Sequence, residues 1–298
     1  MNEIIVSICC QTYNHVDYIE EAIESFLMQK TSFNFEILIR DDASIDGTKE
    51  IVQKYALKYP ESIKLLAYEE NQYKKGVSPF SDNAKRAKGK YIAFCEGDDF
   101  WTDTLKLQKQ VDFLENNPFY TFCFTRFYTL NQSTQEKKID ENSRYFQGDQ
   151  DIEFDFKRFK LWHIGTQTVV FRNLPNLANS ILEYKVPSDI HIYVYLLKAG
   201  KGKCLQDFCA VYRITGTGLY TSENADSRLL RGVNMYEEIY LKNKKNKYLK
   251  QKYLMFSRKH LLFLIERKNY KSFFYNLFKT TKTTLSLKFF IRNLLSIK

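Results

Sequence analysis

Between residues 4 and 118 the chain alternates short β-rich runs with stretches of helical apolar spacing, and no other feature narrows its fold as far. IIVSICC (4–10) is an unbroken apolar run of strand length. After the TYNH turn, Ile19, Ala22, Ile23, Phe26 and Leu27 share one helical face. FEILIR (35–40) is a second buried strand that opens into DDASIDGT, a string of turn formers and N-cap residues. Ile51, Val52, Tyr55, Ala56 and Tyr59 then mark a helix that Pro60 stops. IKLLA (63–67) and YIAFC (91–95) supply two more strands, with Leu107, Val111 and Leu114 on the helix that follows. The order is β-α-β-α-β-α-β-α. Continuous apolar strands are buried on both faces, so the series predicts an α/β domain with a Rossmann-like central sheet flanked by helices.

From 119 to about 220 the pattern is mixed. Strands are predicted at TFCFTRFY, TQTVVFR and CLQDFCAVYR, a helix follows Pro187, and the segment reads as the completion of the first domain. Residues 221–298 form a separate helical tail. There Tyr270, Phe273, Phe274, Leu277 and Phe278 recur at i, i+3, i+4, i+7 and i+8, and Leu287, Phe290, Ile291, Leu294 and Leu295 repeat the spacing. Charge divides along the same line. The net +10 arises beyond residue 240, where 16 Lys and Arg face the single acid Glu266; residues 1–240 hold 29 Lys and Arg against 34 Asp and Glu. A mildly acidic body argues against a nucleic-acid-binding core. The basic amphipathic tail either docks on protein or meets an anionic membrane surface. The N-terminus has no basic flank and no long apolar run, which points to a cytoplasmic protein, and the six cysteines form no CxxC pair and read as buried thiols.

In a parallel sheet, ligands bind beyond the carboxyl ends of the strands. Two of those loops are acidic here: Asp41 and Asp42 follow FEILIR, and Glu96, Asp98 and Asp99 follow YIAFC. Carboxylates gathered at the end of a buried strand are costly unless a cation or hydrogen bonds satisfy them. A hard divalent ion held by one or two carboxylates plus phosphate oxygens would do so, which points to a diphosphate ligand. The alternative is that Asp98, Asp99 and Asp103 cap the helix predicted over 103–117. Neither GxGxxG after the first strand nor GxxxxGK[ST] occurs, so a glycine-cradled phosphate, as in dehydrogenases and P-loop enzymes, is not expected.

Taken in order, VSICCQTYNHVDYIEEAIESFL, FEILIRDDASIDGT and AKGKYIAFCEGDDFW resemble three blocks of the family 2 glycosyltransferases over about residues 4–118. The resemblance implies a GT-A fold: a mixed central sheet flanked by helices, here with a C-terminal basic helical extension. It implies an inverting transferase that moves sugar from a nucleotide diphosphate sugar, a UDP sugar being the expected donor, with Mn or Mg as cofactor. The acceptor it implies is a hydroxyl of a glycan or lipid-linked molecule in surface polysaccharide synthesis, met in the cytoplasm or at the inner membrane face. By the same resemblance Tyr13 stacks on the nucleobase, backbone groups near Gln11 and Thr12 read its edge, and Asp42 accepts a hydrogen bond from it while Asp41 positions the loop. Asn83 and Lys85 approach the donor, Asp98 faces the ribose, and Asp99 holds the metal. The donor half covers about 1–118 and the acceptor half about 119–220.

Inversion also needs a base opposite the leaving diphosphate. Asp189, at a helix start in VPSDIHIYVYLLKAGK about ninety residues beyond the metal motif, matches the family position. Ser188 or Asp189 as a plain N-cap, and His191 as a competing base, stay open on sequence alone. Trp162 and His163 in LWHIGTQT either line an acceptor pocket together with His191 or serve packing. A non-enzymatic membrane-surface or polyanion-binding protein is the competing function.

Overall fold

The structure is a computed structural model and describes residues 3–142, 150–162, 164–185, 188–216 and 224–295. Its first strand, β1 (Ile4–Thr12), is buried from Val6 to Thr12, as the unbroken apolar run requires. Parallel to β1 lie β2 (Asn34–Asp41) on one side and β4 (Tyr91–Phe94) on the other, with β3 (Ile63–Ala67) beyond β2. The sheet continues through β9 (Val170–Arg172), β6 (Tyr120–Asn131), β10 (Lys201–Ile214) and β5 (Phe100–Trp101). Its order is β3-β2-β1-β4-β9-β6-β10-β5, with β7 (Lys137–Ile139) beside β6 and β8 (Ile152–Phe154) beside β10. β9 and β5 pair antiparallel, so the sheet is mixed.

Helices α1 (Ile19–Leu27), α2 (Thr48–Lys58), α3 (Pro79–Arg86) and α4 (Lys106–Asn116) follow the first four long strands. They bury the predicted stripes: Ile19, Ala22, Ile23 and Phe26 from α1 and Leu107, Val111 and Leu114 from α4 join Val6, Ile8, Ile37 and Ile39 in one core. Two readings change. The helix predicted from 103 begins at Lys106, because Asp103 instead forms a turn in which its Oδ1 accepts the Leu105 N–H at 2.8 Å. The strand predicted over TQTVVFR is half as long: Thr166–Thr168 is a 3-10 turn in which the Thr168 N–H and Oγ1 both donate to the Gly165 carbonyl.

Two compact units result: residues 1–155 with 162–215, and residues 156–161 with 216–298. The first carries the sheet together with α6 (Leu177–Leu182) and α7 (Asp189–Ala199). The second is helical: α5 (Phe156–Phe159), α8 (Ala225–Lys242), α9 (Lys247–Glu266), α10 (Tyr270–Thr284) and α11 (Leu287–Leu294). Residues 156–161 thus group with the tail helices, where Lys252 Nζ donates to the Phe159 carbonyl. Among the described residues no helix is long and apolar enough to cross a membrane.

Candidate active site

The carboxyl ends of β1, β2 and β4 lie side by side, and their loops are stitched into one floor. Asp41 is fully buried and accepts the N–H and hydroxyl of Ser44, whose Oγ in turn accepts the Asn14 N–H at 2.9 Å. Asn14 Oδ1 in turn accepts the Ile45 N–H, and Asp46 and Thr48 accept the Val16 and His15 amides. The turn that carries Tyr13, which is half-buried, is therefore held by the acidic loop opposite it. At the strand end the Gln11 side-chain amide and Thr12 Oγ1 are buried without a hydrogen-bond partner. Buried polar groups are rarely left unpaired in a ligand-free chain without reason.

Asp42 is already engaged. Its two oxygens accept the Gln72 and Tyr73 amides at 2.8 and 3.0 Å, and Arg40 lies 3.2 Å away, bridging to Asp82. A carboxylate has about four acceptor positions, so one further bond is available to it. Asn83 is wholly buried; its amide donates to the Cys10 carbonyl at 3.0 Å and its oxygen accepts from Arg86, so it braces β1 against α3. Lys85, two residues on, is exposed.

The second acidic loop, Glu96-Gly97-Asp98-Asp99, is drawn against β1 by the Gly97 N–H, which donates to the Gln11 carbonyl at 2.9 Å. Asp99 is 1% exposed. One of its oxygens accepts the backbone N–H of Arg213 at 2.7 Å and the other has no partner. Arg213 comes from β10 and donates to the Asp98 carbonyl at 2.8 Å, pairs with Glu21, and lies 4.3 Å from the centre of the Phe100 ring. Asp98 keeps 19% of its side chain exposed, with His15 Nε2 at 3.8 Å. Neither Asp98 nor Asp99 caps α4. Burial raises the proton affinity of Asp99, and the neighbouring charges of Asp98 and Glu96 raise it further. Glu96 is pushed up in the same way, by burial first and then by Asp98 and Asp189.

Asp189 opens α7, and its charge adds to the rise of Glu96. Ser188 is the N-cap, its Oγ accepting the Ile190 N–H while its own N–H donates to His191 Nδ1 at 2.9 Å. Capping therefore does not occupy Asp189, whose oxygens accept Thr166 Oγ1 at 3.2 Å and Ser188 Oγ at 2.7 Å. His191 is committed elsewhere: it is buried, closes the capping box and stacks on Tyr184 at 3.7 Å. Trp162 is likewise interior and packs on Phe154. His163 lies outside the described residues. One turn after Asp189, the buried Tyr193 holds its proton because burial, Asp189 and Glu96 all oppose its ionisation.

Arg213, Tyr193 and His15 were not singled out by the sequence. Arg213 lies 114 positions from Asp99, and no local spacing joins them; Tyr193 sits four residues after Asp189, a helical interval that could have flagged it.

Among the described residues no three His, Cys, Asp or Glu side chains converge on a metal position. The unpartnered oxygen of Asp99 beside the part-exposed Asp98 instead fits a cation that takes one or two carboxylates and completes its shell with phosphate oxygens and water.

Comparison with known proteins supplies the family. A sequence model described as Glycosyl transferase family 2 matches residues 7–176. The uncharacterized protein Rv1520 of Mycobacterium tuberculosis is 34% identical over 75% of this chain, which spans 62% of that protein's length. WfgD of Escherichia coli, a UDP-Glc:alpha-D-GlcNAc-diphosphoundecaprenol beta-1,3-glucosyltransferase, is 30% identical over 75% of this chain and 82% of its own. Among solved structures, S. aureus TarS 1–349 in complex with UDP-GlcNAc aligns with a TM-score of 0.68 at 18% identity, covering 94% of this chain and 82% of that one. The mannosyltransferase PcManGT of Pyrobaculum calidifontis, in complex with GDP-Man and Mn2+, aligns with a TM-score of 0.57 at 15% identity, covering 99% and 87%. The mixed sheet and flanking helices are thus a GT-A fold, and with the family pattern running through β1, both acidic loops and β9, the chain belongs to glycosyltransferase family 2.

Proposed function

We propose that the first unit transfers a sugar, with inversion, from a nucleotide diphosphate sugar to a hydroxyl of a lipid-linked or glycan acceptor. A UDP sugar is the donor class that the named activity of WfgD and the ligand of TarS favour. The work belongs to surface polysaccharide assembly, at the cytoplasmic face of a membrane where such acceptors are reached. The observation that supports this reading is a buried, half-satisfied Asp99 in the acidic loop together with an Asp189 that capping leaves available and whose charge is felt at Glu96 of that loop.

In this reading Tyr13 stacks on the base, the unpaired Gln11 amide and Thr12 hydroxyl bond its edge, and Asp42 adds one acceptor, with Lys85 available at the rim. Asp98 holds the ribose. Asp99, with Asp98 beside it, would hold a divalent cation, Mn or Mg, which when bound would offset charge on the departing nucleoside diphosphate. Asp189 takes the acceptor proton as the new glycosidic bond forms and the anomeric carbon–phosphate oxygen bond breaks. Thr166 and Ser188 hold that carboxylate in place, and Tyr193 and the capping box fix the start of α7 beneath it. Asn83, Trp162 and His191 support the site through packing. Incubation with a panel of nucleotide sugars and Mn or Mg tests this: at least one donor raises the melting temperature and releases nucleoside diphosphate. A folded protein that does neither with any donor refutes the enzymatic reading and leaves a binding protein.

A further inference from the structure

The helical unit turns large apolar side chains outward on its last two helices. At about 100° per residue, Phe289 and Asn293 of α11 face inward, Phe289 onto Leu261, Leu264, Phe273 and Leu277. Leu287, Ile291 and Leu294, with Leu295 just beyond, occupy another sector and are 68, 49, 39 and 68% exposed. On α10, Phe273 and Leu277 face inward while Phe274 and Phe278, one turn apart, are exposed. The exposed Phe278 ring lies 5.4 Å from that of the half-buried Phe290, so the outward sides of α10 and α11 adjoin along a ridge. A contiguous exposed apolar ridge of this kind marks an interaction surface.

Charge selects the partner. Residues 267–295 contain seven Lys and Arg and no acid. Lys288 and Arg292, between the inward and outward sectors of α11, line a cavity of about 360 Å³ with Arg258, and Leu254, Met255 and Phe289 form its apolar wall. The buried Nε of Arg258 has no hydrogen-bond partner among the described residues. Three cations that line this cavity beside an apolar wall fit a phosphate that carries hydrocarbon.

We propose that the ridge of α10 and α11 lies in the headgroup layer of an anionic phospholipid bilayer, with a headgroup phosphate held by Arg258, Lys288 and Arg292. The unit lies on the membrane rather than spanning it, through aromatic and aliphatic burial combined with attraction to anionic lipid. The surface shares no residue with the candidate active site, so its failure and that of the sugar-transfer reading are separable.

Flotation of the full chain with phosphatidylglycerol–phosphatidylcholine vesicles, against phosphatidylcholine alone, tests it. Binding is expected to the anionic vesicles and to weaken as salt rises. Each cation near the surface multiplies the partition constant roughly fivefold, so Lys288→Gln with Arg292→Gln should lower it about 25-fold. Leu287→Gln, Ile291→Gln and Leu294→Gln together, all at exposed positions, should abolish binding while donor hydrolysis in solution stays unchanged. If the apolar triple variant does not fold, the charge pair decides alone. Equal binding to both vesicle types, or none, overturns the proposal. So does a concentration-dependent dimer that the triple variant dissolves, which would assign the ridge to a second copy, or inorganic phosphate that stabilises the chain as much as anionic vesicles do.

Discussion

Replacing Gly97 by Ala adds one methyl where the acidic loop passes the end of β1. An ideal Cβ there would lie 2.8 Å from Thr12 Oγ1 and 2.9 Å from Thr12 Cβ and Ile19 Cδ1. Neither neighbour yields easily: Thr12 is β-branched with restricted χ1, and Ile19 is fully buried in the core. Restoring an ordinary contact of about 3.4 Å requires the loop to withdraw by roughly 0.6 Å, carrying Asp98 and Asp99 with it. Overpacking of this kind costs about 1–3 kcal/mol. Because a misplacement of about 1 Å at a reacting centre costs ~10²-fold, turnover should fall at least tenfold, equivalent to about 1.4 kcal/mol in the barrier. The assay is release of nucleoside diphosphate with Mn and saturating donor, alongside a thermal melt. Ile19→Val removes the Cδ1 contact, so the double variant should recover part of the loss and deviate from additivity. Gly97→Ala with parental turnover and an unchanged melting temperature would falsify the claim that the strand–loop approach places the carboxylates.

Asp99→Asn keeps the shape of the side chain but removes the charge; metal-dependent turnover should drop by ~10² or more while the melting temperature holds or rises, and near-normal turnover would remove Asp99 from the metal site. Asp189→Asn should cut transfer by ~10² to 10⁴ with donor-induced stabilisation retained; a variant that transfers at more than a few per cent of the parent rate needs another base. Lys106 is fully buried beneath Trp101, donates to Gln110 Oε1, and is pulled down to about 8 by desolvation. Its folded value lies below the unfolded one, so the native chain binds fewer protons between about 8 and 10.5, and this lysine's contribution makes stability rise with pH across that window. Lys106→Met should remove that rise in melts recorded from pH 7 to 10.5, and identical pH profiles for variant and parent would refute it.

The long parallel strands were legible because β1, β2 and β4 are buried on both faces, which demands unbroken apolar runs that no exposed segment tolerates. The acidic loops were legible for a related reason: a strand that ends in several carboxylates declares a polar edge, and the order of the three blocks added the family. The short strands were not. β5, β7 and β8 have two or three residues each, too few for a period to show, and exist because β10 and β6 offer partners. TQT could not be told from a strand because its 3-10 turn depends on the Gly165 carbonyl accepting two bonds from Thr168.

The roles divide in the same way. By itself the sequence determined the α/β class, the two acidic loops and the basic tail, since each follows from local periodicity or composition, and the family resemblance added Asp189 as the candidate base. The structure assigned the cap to Ser188 and His191, and only tertiary packing brought Thr166, 23 positions away, onto the Asp189 carboxylate. It also brought Arg213 across 114 positions to hold Asp99, and left the last helices with apolar side chains facing outward. Local periodicity reports what a segment buries, but which distant segment receives it is set by strand pairing and helix packing, and those depend on the whole chain.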